Sequence, residues 1–214
     1  MSTSIGIAWS RPDYTQAEHI LRDADTAMSR AKELGKARYQ IFNCALHEKA
    51  CQFLQLENDL RQAIKRQEFL VYYQPIVNLS TGKIAGLEAL LRWKHPTRGL
   101  VYPVEFIPVA EETGLITPIG YWVLRESCHQ LRRWQEAKLV EENLTISVNV
   151  SAHQFTQPNL IKQIDRILAE TNLNPQCLKL EITESALMES SQSATTLLQQ
   201  LRDRQIQLSI DDFG

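Results

Sequence analysis

From Glu68 onwards the sequence alternates between short apolar segments and amphipathic helical segments. The predicted strands are FLVYYQPIV, KIAGLEALLRW, LTISVNVS, CLKLEITE and QLSIDDFG, and helical patterns separate the last four of them. Such alternation is typical of a parallel α/β sheet or barrel. Only the polar turn NLSTGK joins the first two strands. Because this turn is too short for a parallel crossover, we expect the two strands to be antiparallel.

A smaller α/β pattern precedes this region. SIGIAW and Arg38–Phe42 are predicted as short strands, and Gln16–Leu34 is predicted as an amphipathic helix that Gly35 ends. Two strands and one helix bury too little surface for a complete domain. Ala45–Gln67 is predicted as another helix, which either connects two domains or packs on the region C-terminal to it. We therefore divide the chain into residues 1–43, 44–67 and 68–214.

Charge and cysteine usage exclude several classes of protein. The 23 basic and 25 acidic residues give a net charge of −2, so we expect neither duplex nucleic acid nor a membrane surface as a partner. No run approaches the ~18 apolar residues of a membrane span, and the N-terminus lacks a secretory signal. The four cysteines form no CxxC pair, which favours reduced thiols in a cytoplasmic protein.

Polar side chains interrupt the predicted strands near their C-terminal ends. They are Glu88, Asn149, Glu181 and the pair Asp211–Asp212. The steps from 149 to 181 and from 181 to 211 are 32 and 30 residues, the length of one strand–helix–strand unit. Because strand ends converge on one mouth in a (β/α) barrel, we expect these side chains to lie close together.

Two interpretations of this set stay open. Clustered carboxylate and amide oxygens without cysteine are ligands for Mg²⁺, Mn²⁺ or Ca²⁺, and two such ions are the usual arrangement for phosphoryl displacement. Alternatively, each acid caps a helix or forms a salt bridge, as Glu184 just after a strand could. Arg92 is a candidate phosphate clamp or a partner of one of these acids. Gln74 is the other polar group of the antiparallel pair.

At these residues the sequence resembles the EAL domain family of cyclic-di-GMP phosphodiesterases. The resemblance rests on YYQPIV, LEALLRW, FIPVAEETGLI, SVNVS, EITES and DDFG, in this order between Glu68 and Gly214. SIGIAW and LRDADTAMSRAKELGKARYQIF are similar to the last part of a GGDEF (diguanylate cyclase) domain, whose signature motif is absent. The resemblance implies an α/β fold: an incomplete TIM-like barrel with an antiparallel first strand, preceded by a small α/β fragment.

The resemblance also implies roles for individual residues. Glu88, Asn149, Glu181, Asp211 and Asp212 match metal ligands for Mg²⁺ or Mn²⁺, with Asp212 on a second ion, and Glu88, Asp211 and Asp212 are the implied catalytic residues. Gln74, Leu90 and Arg92 match contacts to the substrate, cyclic-di-GMP, and Glu184 matches a residue that holds the loop after DDFG. In the GGDEF remnant, Lys32 matches a lysine that contacts phosphate. The implied reaction is hydrolysis of cyclic-di-GMP to the linear dinucleotide.

Members of the family continue past DDFG, whereas this sequence stops at Gly214. About five of the eight strands of a barrel are predicted, so we expect the sheet to stay open and the chain itself to be inactive. The longer parent is expected to be active, and upstream domains could anchor it to a membrane. The alternatives are a regulatory module that binds cyclic-di-GMP or a protein, and, with less support, a cyclase. A homodimer through the EAL domain is also expected.

Overall fold

The computed structural model describes residues 3–10, 15–183 and 191–211, without the side chains of 44–47, 49, 191–193 and 211. It divides into two compact units, Met1–Gln55 and Leu56–Gly214. In chain order the helices are α1 (Ala17–Glu33), α2 (Cys44–Arg66), α3 (Pro103–Glu112), α4 (Ile116–Glu136), α5 (Ala152–Phe155), α6 (Leu160–Thr171) and α7 (Ser191–Asp203). The strands are β1 (Ile5–Ile7), β2 (Tyr39–Ile41), β3 (Phe69–Val77), β4 (Ile84–His95), β5 (Gly99–Val101), β6 (Thr145–Val150), β7 (Leu178–Thr183) and β8 (Gln207–Asp211).

The first unit contains a β–α–β arrangement. Strands β1 and β2 are parallel, and α1 packs against both of them. Gly6 allows this close packing, because a Cβ atom there would clash with the Ala24 carbonyl oxygen. Ala27 and Ala31 on α1 are buried in the same unit. The two strands and the helix predicted for residues 1–43 are therefore confirmed as elements.

The second unit is built on one sheet with the order β3-β4-β6-β7-β8, and β5 pairs with the end of β4. Strands β4, β6, β7 and β8 are parallel, whereas β3 is antiparallel to β4, as its short turn predicts. Within the described part of the chain this sheet does not close into a barrel. The fold is thus a mixed α/β fold with an open, TIM-like sheet.

The β3–β4 turn is held by its own polar residues. The Asn78 side chain accepts hydrogen bonds from the amides of Ser80 at 3.0 Å and Thr81 at 3.1 Å. Gly82 has a φ of 67°, a left-handed conformation that glycine adopts without steric cost. The turn brings Gln74 opposite Glu88 in the antiparallel register.

The two faces of this sheet differ in character. One face carries alternate apolar residues of the parallel strands, among them Ala89, Val148 and Leu180, which are buried. Helices α3, α4, α5 and α7 pack against strands of this sheet. Parallel strands covered on both faces read as continuous apolar runs. In β6 and β7 only alternate residues are apolar, so the opposite side of the sheet carries polar groups there.

An aromatic cluster anchors the start of the sheet. Phe69 lies 6.0 to 6.1 Å, between ring centroids, from Trp93, Phe106 and Trp122. The indole of Trp93 also donates a 3.1 Å hydrogen bond to the Glu68 carboxylate. Trp93 and Phe106 are fully buried, and Trp134 packs edge-on against Tyr73 at 4.9 Å. Phe69, Trp93 and Phe106 therefore belong to the core, where each buries a large apolar ring.

Helix α2 runs without interruption through the division between the two units, which falls after Gln55. Its second half packs into the second unit, where Leu60 and Ala63 are fully buried. Asp59 on this half lies 3.5 Å from the Nε2 atom of the buried His95. Among the described helices, α2 included, none has a stretch long and apolar enough to span a bilayer.

Candidate functional site

The polar residues predicted at the strand ends share one face of the sheet. Side chains two residues apart along a strand point to the same side of the sheet. Residues that are paired in register on neighbouring strands also point to that side. Glu88 pairs with Ser147, Asn149 pairs with Glu181, and Thr183 pairs with Asp211. We call this side of the sheet the polar face. On β3 and β4 it continues through Tyr72, Gln74, Glu88, Leu90 and Arg92.

The clearest contact on the polar face joins β6 to β4. The side-chain amide of Asn149 donates a 3.1 Å hydrogen bond to the Glu88 carboxylate. This bond fixes the orientation of the amide and leaves its carbonyl oxygen with acceptor capacity. Asn149 is exposed and Glu88 is half-buried. The structure thus brings together two of the predicted ligands.

Glu181 lies on the next strand and has a basic neighbour. The Lys179 ammonium is 3.4 Å from the Glu181 carboxylate, and the Glu181 side chain is only 13% exposed. No role was predicted for Lys179 from the sequence. The signal that could have found it is the spacing of two residues, which puts an ammonium beside a carboxylate along one strand.

The remaining acids are only partly described. Asp211 takes its register position on β8, its side chain is not described, and Asp212 and Glu184 lie outside the described residues. Within the described side chains, no group of three or more His, Cys, Asp or Glu lies close enough to hold a metal. The donors present are nevertheless hard oxygen ligands of the kind that Mg²⁺ and Mn²⁺ prefer.

Arg92 is held between two tyrosine rings. Its guanidinium carbon lies 5.6 Å from the ring centroid of Tyr72 and 5.4 Å from that of Tyr102. It also donates a 2.8 Å hydrogen bond to the Leu91 carbonyl oxygen. Both tyrosines are about half exposed, at 48% and 52%. A guanidinium stacked in this way is oriented before any anion arrives.

A largely apolar cleft adjoins the same end of the sheet. Its volume is about 310 Å³, and Leu90, Pro103, Ile107 and Asn149 are among its lining residues. Gln74 lies opposite Glu88 on β3, on the polar face. The predicted site residues Gln74, Glu88, Leu90, Arg92, Asn149 and Glu181 therefore share one face, and Tyr102, between β5 and α3, was not predicted.

Two of the described thiols, those of Cys128 and Cys177, are buried. Cys128 is buried in α4, and burial raises the pKa of its thiol to about 12. Cys177 is buried as well, and its thiol donates a 3.2 Å hydrogen bond to the Glu142 carbonyl oxygen. Burial raises the pKa of the Cys177 thiol too. Cys51 is exposed. Buried neutral thiols of this kind are poor nucleophiles and poor metal ligands.

Comparisons with known proteins agree on one family. The profile of the EAL domain matches residues 57–214. The bifunctional diguanylate cyclase/cyclic di-GMP phosphodiesterase MucR of Pseudomonas aeruginosa is 42% identical over 214 residues, which are 100% of this chain and 31% of that protein. Cyclic di-GMP phosphodiesterase PdeR of Escherichia coli is 36% identical over 213 residues, 100% of this chain and 32% of its own length. The chain thus spans about a third of these curated relatives.

Solved structures share the fold. A MucR phosphodiesterase in complex with c-di-GMP has a TM-score of 0.71 and 44% sequence identity, over 75% of this chain and 64% of that one. The EAL enzyme Bd1971, bound to cAMP and cyclic-di-GMP, has a TM-score of 0.74 and 32% identity, over 94% of this chain and 52% of that one. The TIM-like fold expected from the sequence is thereby confirmed.

Proposed function

Because this chain belongs to the EAL domain family, we propose that it carries part of the active site of a cyclic-di-GMP phosphodiesterase. The observation that carries the proposal is the polar face, on which Asn149 is bonded to Glu88 and pairs in register with Glu181. Two relatives that are named cyclic di-GMP phosphodiesterases match the whole chain. The reaction proposed is hydrolysis of one phosphodiester bond of cyclic-di-GMP, which yields the linear dinucleotide.

We assign the metal centre to Glu88, Asn149, Glu181 and Asp211, with Asp212 on a second ion. Mg²⁺ or Mn²⁺ fits the oxygen donors Glu88, Asn149 and Glu181 on the polar face. Bound there, such an ion supplies an activated water molecule and charge stabilisation for attack at phosphorus. The Asn149–Glu88 hydrogen bond holds two of the ligands in mutual orientation before the ion binds.

The substrate contacts are assigned to residues around Arg92. Its guanidinium can bind two oxygens of one phosphate, and the flanking rings of Tyr72 and Tyr102 restrict its rotation. Gln74 shares the polar face with Arg92, and its amide offers a donor and an acceptor to the dinucleotide. Leu90 lines the apolar cleft and can pack against a base.

We propose that this chain alone does not turn the substrate over. The described sheet is open at β3 and at β8, so it lacks the strands whose C-terminal ends complete the mouth of a (β/α) barrel and add side chains to the centre there. The alternative function, binding of cyclic-di-GMP without hydrolysis, makes the same prediction for this chain. The two functions predict different results for a longer version of the chain.

The test compares this chain with one extended by about 90 residues of its parent, the length of a typical ~250-residue barrel. Both are incubated with cyclic-di-GMP and Mn²⁺, and the linear dinucleotide is measured by chromatography. Turnover by the extended chain alone supports the phosphodiesterase, whereas tight binding without turnover by both supports the regulatory module. Glu88→Ala should abolish turnover, and Glu141→Ala, at an exposed acid, should not. Full activity of Glu88→Ala would contradict the metal assignment.

For residues 1–43 we propose the last part of a GGDEF domain, with 44–67 as the connecting helix. The support is that a relative named as a bifunctional diguanylate cyclase and phosphodiesterase matches all 214 residues. Lys32 on α1 is exposed, as a lysine that contacts phosphate must be. A cyclase activity of this chain is not proposed, since the signature motif of that family is absent from the sequence.

A further inference from the structure

Lys179 is a basic residue on the polar face, beside a proposed metal ligand. Its ammonium lies 3.4 Å from the carboxylate of Glu181. The Lys179 side chain is 28% exposed and the Glu181 side chain 13%, so solvent screens this pair less than it screens a surface salt bridge. Neither the family profile nor the names of the relatives assign a role to this lysine.

The register places Lys179 at the centre of the polar face. It pairs with Ser147 on β6, and Ser147 in turn pairs with Glu88 on β4. The ammonium therefore lies in the row of residues next to Asn149 and Glu181. The Ser147 hydroxyl is buried and makes no hydrogen bond within the described structure. The Ser147 hydroxyl therefore gives Glu181 no hydrogen bond, whereas the Lys179 ammonium gives it a nearby positive charge.

We infer that Lys179 is a positioning residue that holds the Glu181 carboxylate before a divalent cation binds and weakens the binding of that cation. The inference rests on the metal centre proposed above. Carboxylates gathered on one face repel each other, and a nearby ammonium offsets part of that repulsion. A divalent cation at Glu181 would then meet a positive charge close by, which lowers its affinity.

Because one charge has two opposed effects, its removal should change metal affinity and thermal stability in a specific combination. Replacing Lys179 by methionine keeps most of the stem volume and removes the charge. Without metal the carboxylates lose their counter-ion, so the chain should unfold at a lower temperature. With metal, the repulsion between the Lys179 ammonium and the cation is gone, so Mn²⁺ should bind about tenfold more tightly. The free energy of this change is a modest part of the full Coulomb interaction between two such charges. Lys179→Arg keeps the charge and should behave as the unchanged chain.

The experiment measures Mn²⁺ binding by calorimetry and thermal unfolding in EDTA, for the full 214-residue chain and its variants. Lys162→Met, at an exposed lysine of α6, is the matched control and should change neither quantity. Circular dichroism at room temperature shows which variants are folded. Tighter binding with a lower unfolding temperature in Lys179→Met, and neither in Lys179→Arg, is the expected result.

Two failures are distinguishable. If the unchanged chain binds Mn²⁺ and Lys179→Met binds it with the same affinity, the role of Lys179 is wrong and the metal centre stands. If the unchanged chain binds no Mn²⁺, both the metal centre and the role of Lys179 are overturned. Weaker binding by a folded Lys179→Met would also overturn the inference, because its sign would be reversed.

Discussion

Asn149 and Glu88 are 61 residues apart in sequence and are joined by a 3.1 Å hydrogen bond across two parallel strands. The amide that donates this bond keeps a carbonyl oxygen with acceptor capacity, which the proposed metal centre uses. In the proposed metal centre, this one side chain orients a neighbouring ligand and supplies a further oxygen. This double role distinguishes asparagine at this position from an aliphatic residue of similar size.

The first prediction concerns Asn149. In Asn149→Ala the Glu88 carboxylate loses its hydrogen-bond donor and the proposed metal centre loses an oxygen ligand. The affinity for Mn²⁺ should therefore fall at least about tenfold, which is the lower end of the usual effect of removing a residue that hydrogen-bonds to a metal ligand. Asn149→Asp restores an oxygen and should bind more tightly than Asn149→Ala. Calorimetric titration measures both, and Asn143→Ala, at an exposed asparagine, serves as the control. Equal affinities for all these chains would contradict the assignment.

The second prediction concerns Arg92 and its two rings. Arg92→Lys keeps the charge but loses the planar fork and the stacking, so the Kd for cyclic-di-GMP should rise about tenfold or more. Tyr102→Leu removes one ring, and a part-exposed cation–π contact of ~0.5–1 kcal/mol corresponds to a rise of about two- to fivefold. Binding is measured by calorimetry. Arg98→Lys is the control: it makes the same exchange at an exposed arginine that is paired with Glu105, and it should leave the Kd for cyclic-di-GMP unaltered.

The third prediction concerns the stability of the sheet. The Ser147 hydroxyl is buried and has no hydrogen-bond partner within the described residues. Because burying an unsatisfied hydroxyl costs free energy, Ser147→Ala should raise the free energy of unfolding by up to about 1 kcal/mol. Urea denaturation measures the change, and Ser80→Ala in the exposed β3–β4 turn provides the comparison. A loss of stability would show that the hydroxyl contributes a bond.

The fourth prediction concerns alkaline pH. The Cys128 thiol has its pKa raised by burial from 9.0 to about 12 in the folded chain, whereas the unfolded chain should titrate near 9.0. Between these values the unfolded state binds fewer protons, so the free energy of unfolding falls as the pH rises. From about pH 9 to about pH 10 the loss from this thiol should be on the order of 1 kcal/mol.

Cys128→Ala removes that titration and should flatten the dependence of stability on pH in this window, although its stability near neutral pH should be lower because of the cavity. The measurement is urea denaturation at a series of pH values. Cys51→Ala changes an exposed cysteine and should keep the slope of the unchanged chain. An unchanged slope in Cys128→Ala would contradict the prediction.

The sequence was sufficient for the elements that are long or strongly periodic. The strands FLVYYQPIV and CLKLEITE and the antiparallel pairing of β3 with β4 are all confirmed. Strand β5 was not predicted, because three residues, Gly99–Val101, are too few to show alternation. The four-residue helix α5 escaped prediction for the same reason, although Ser151 caps it.

Contacts between distant residues were harder to predict than elements. Tyr102 meets Arg92 only because β5 turns back along the end of β4, and no local pattern encodes that path. The polar face was partly predictable from alternation within each strand. The hydrogen bond between Asn149 and Glu88 depends on the register of β4 against β6, which the tertiary structure sets.

The β3–β4 hairpin has a consequence for folding order. Gln74, Leu90 and Arg92 lie on two strands joined by a short turn, so closing that loop costs little chain entropy and the pairing can form within microseconds. Asn149 and Glu181 reach the same face only through parallel pairing across intervening helices, which is slower. In refolding, the hairpin residues, Glu88 included, should therefore be in place before Asn149 and Glu181, so the complete metal centre should form in the slower of two kinetic phases.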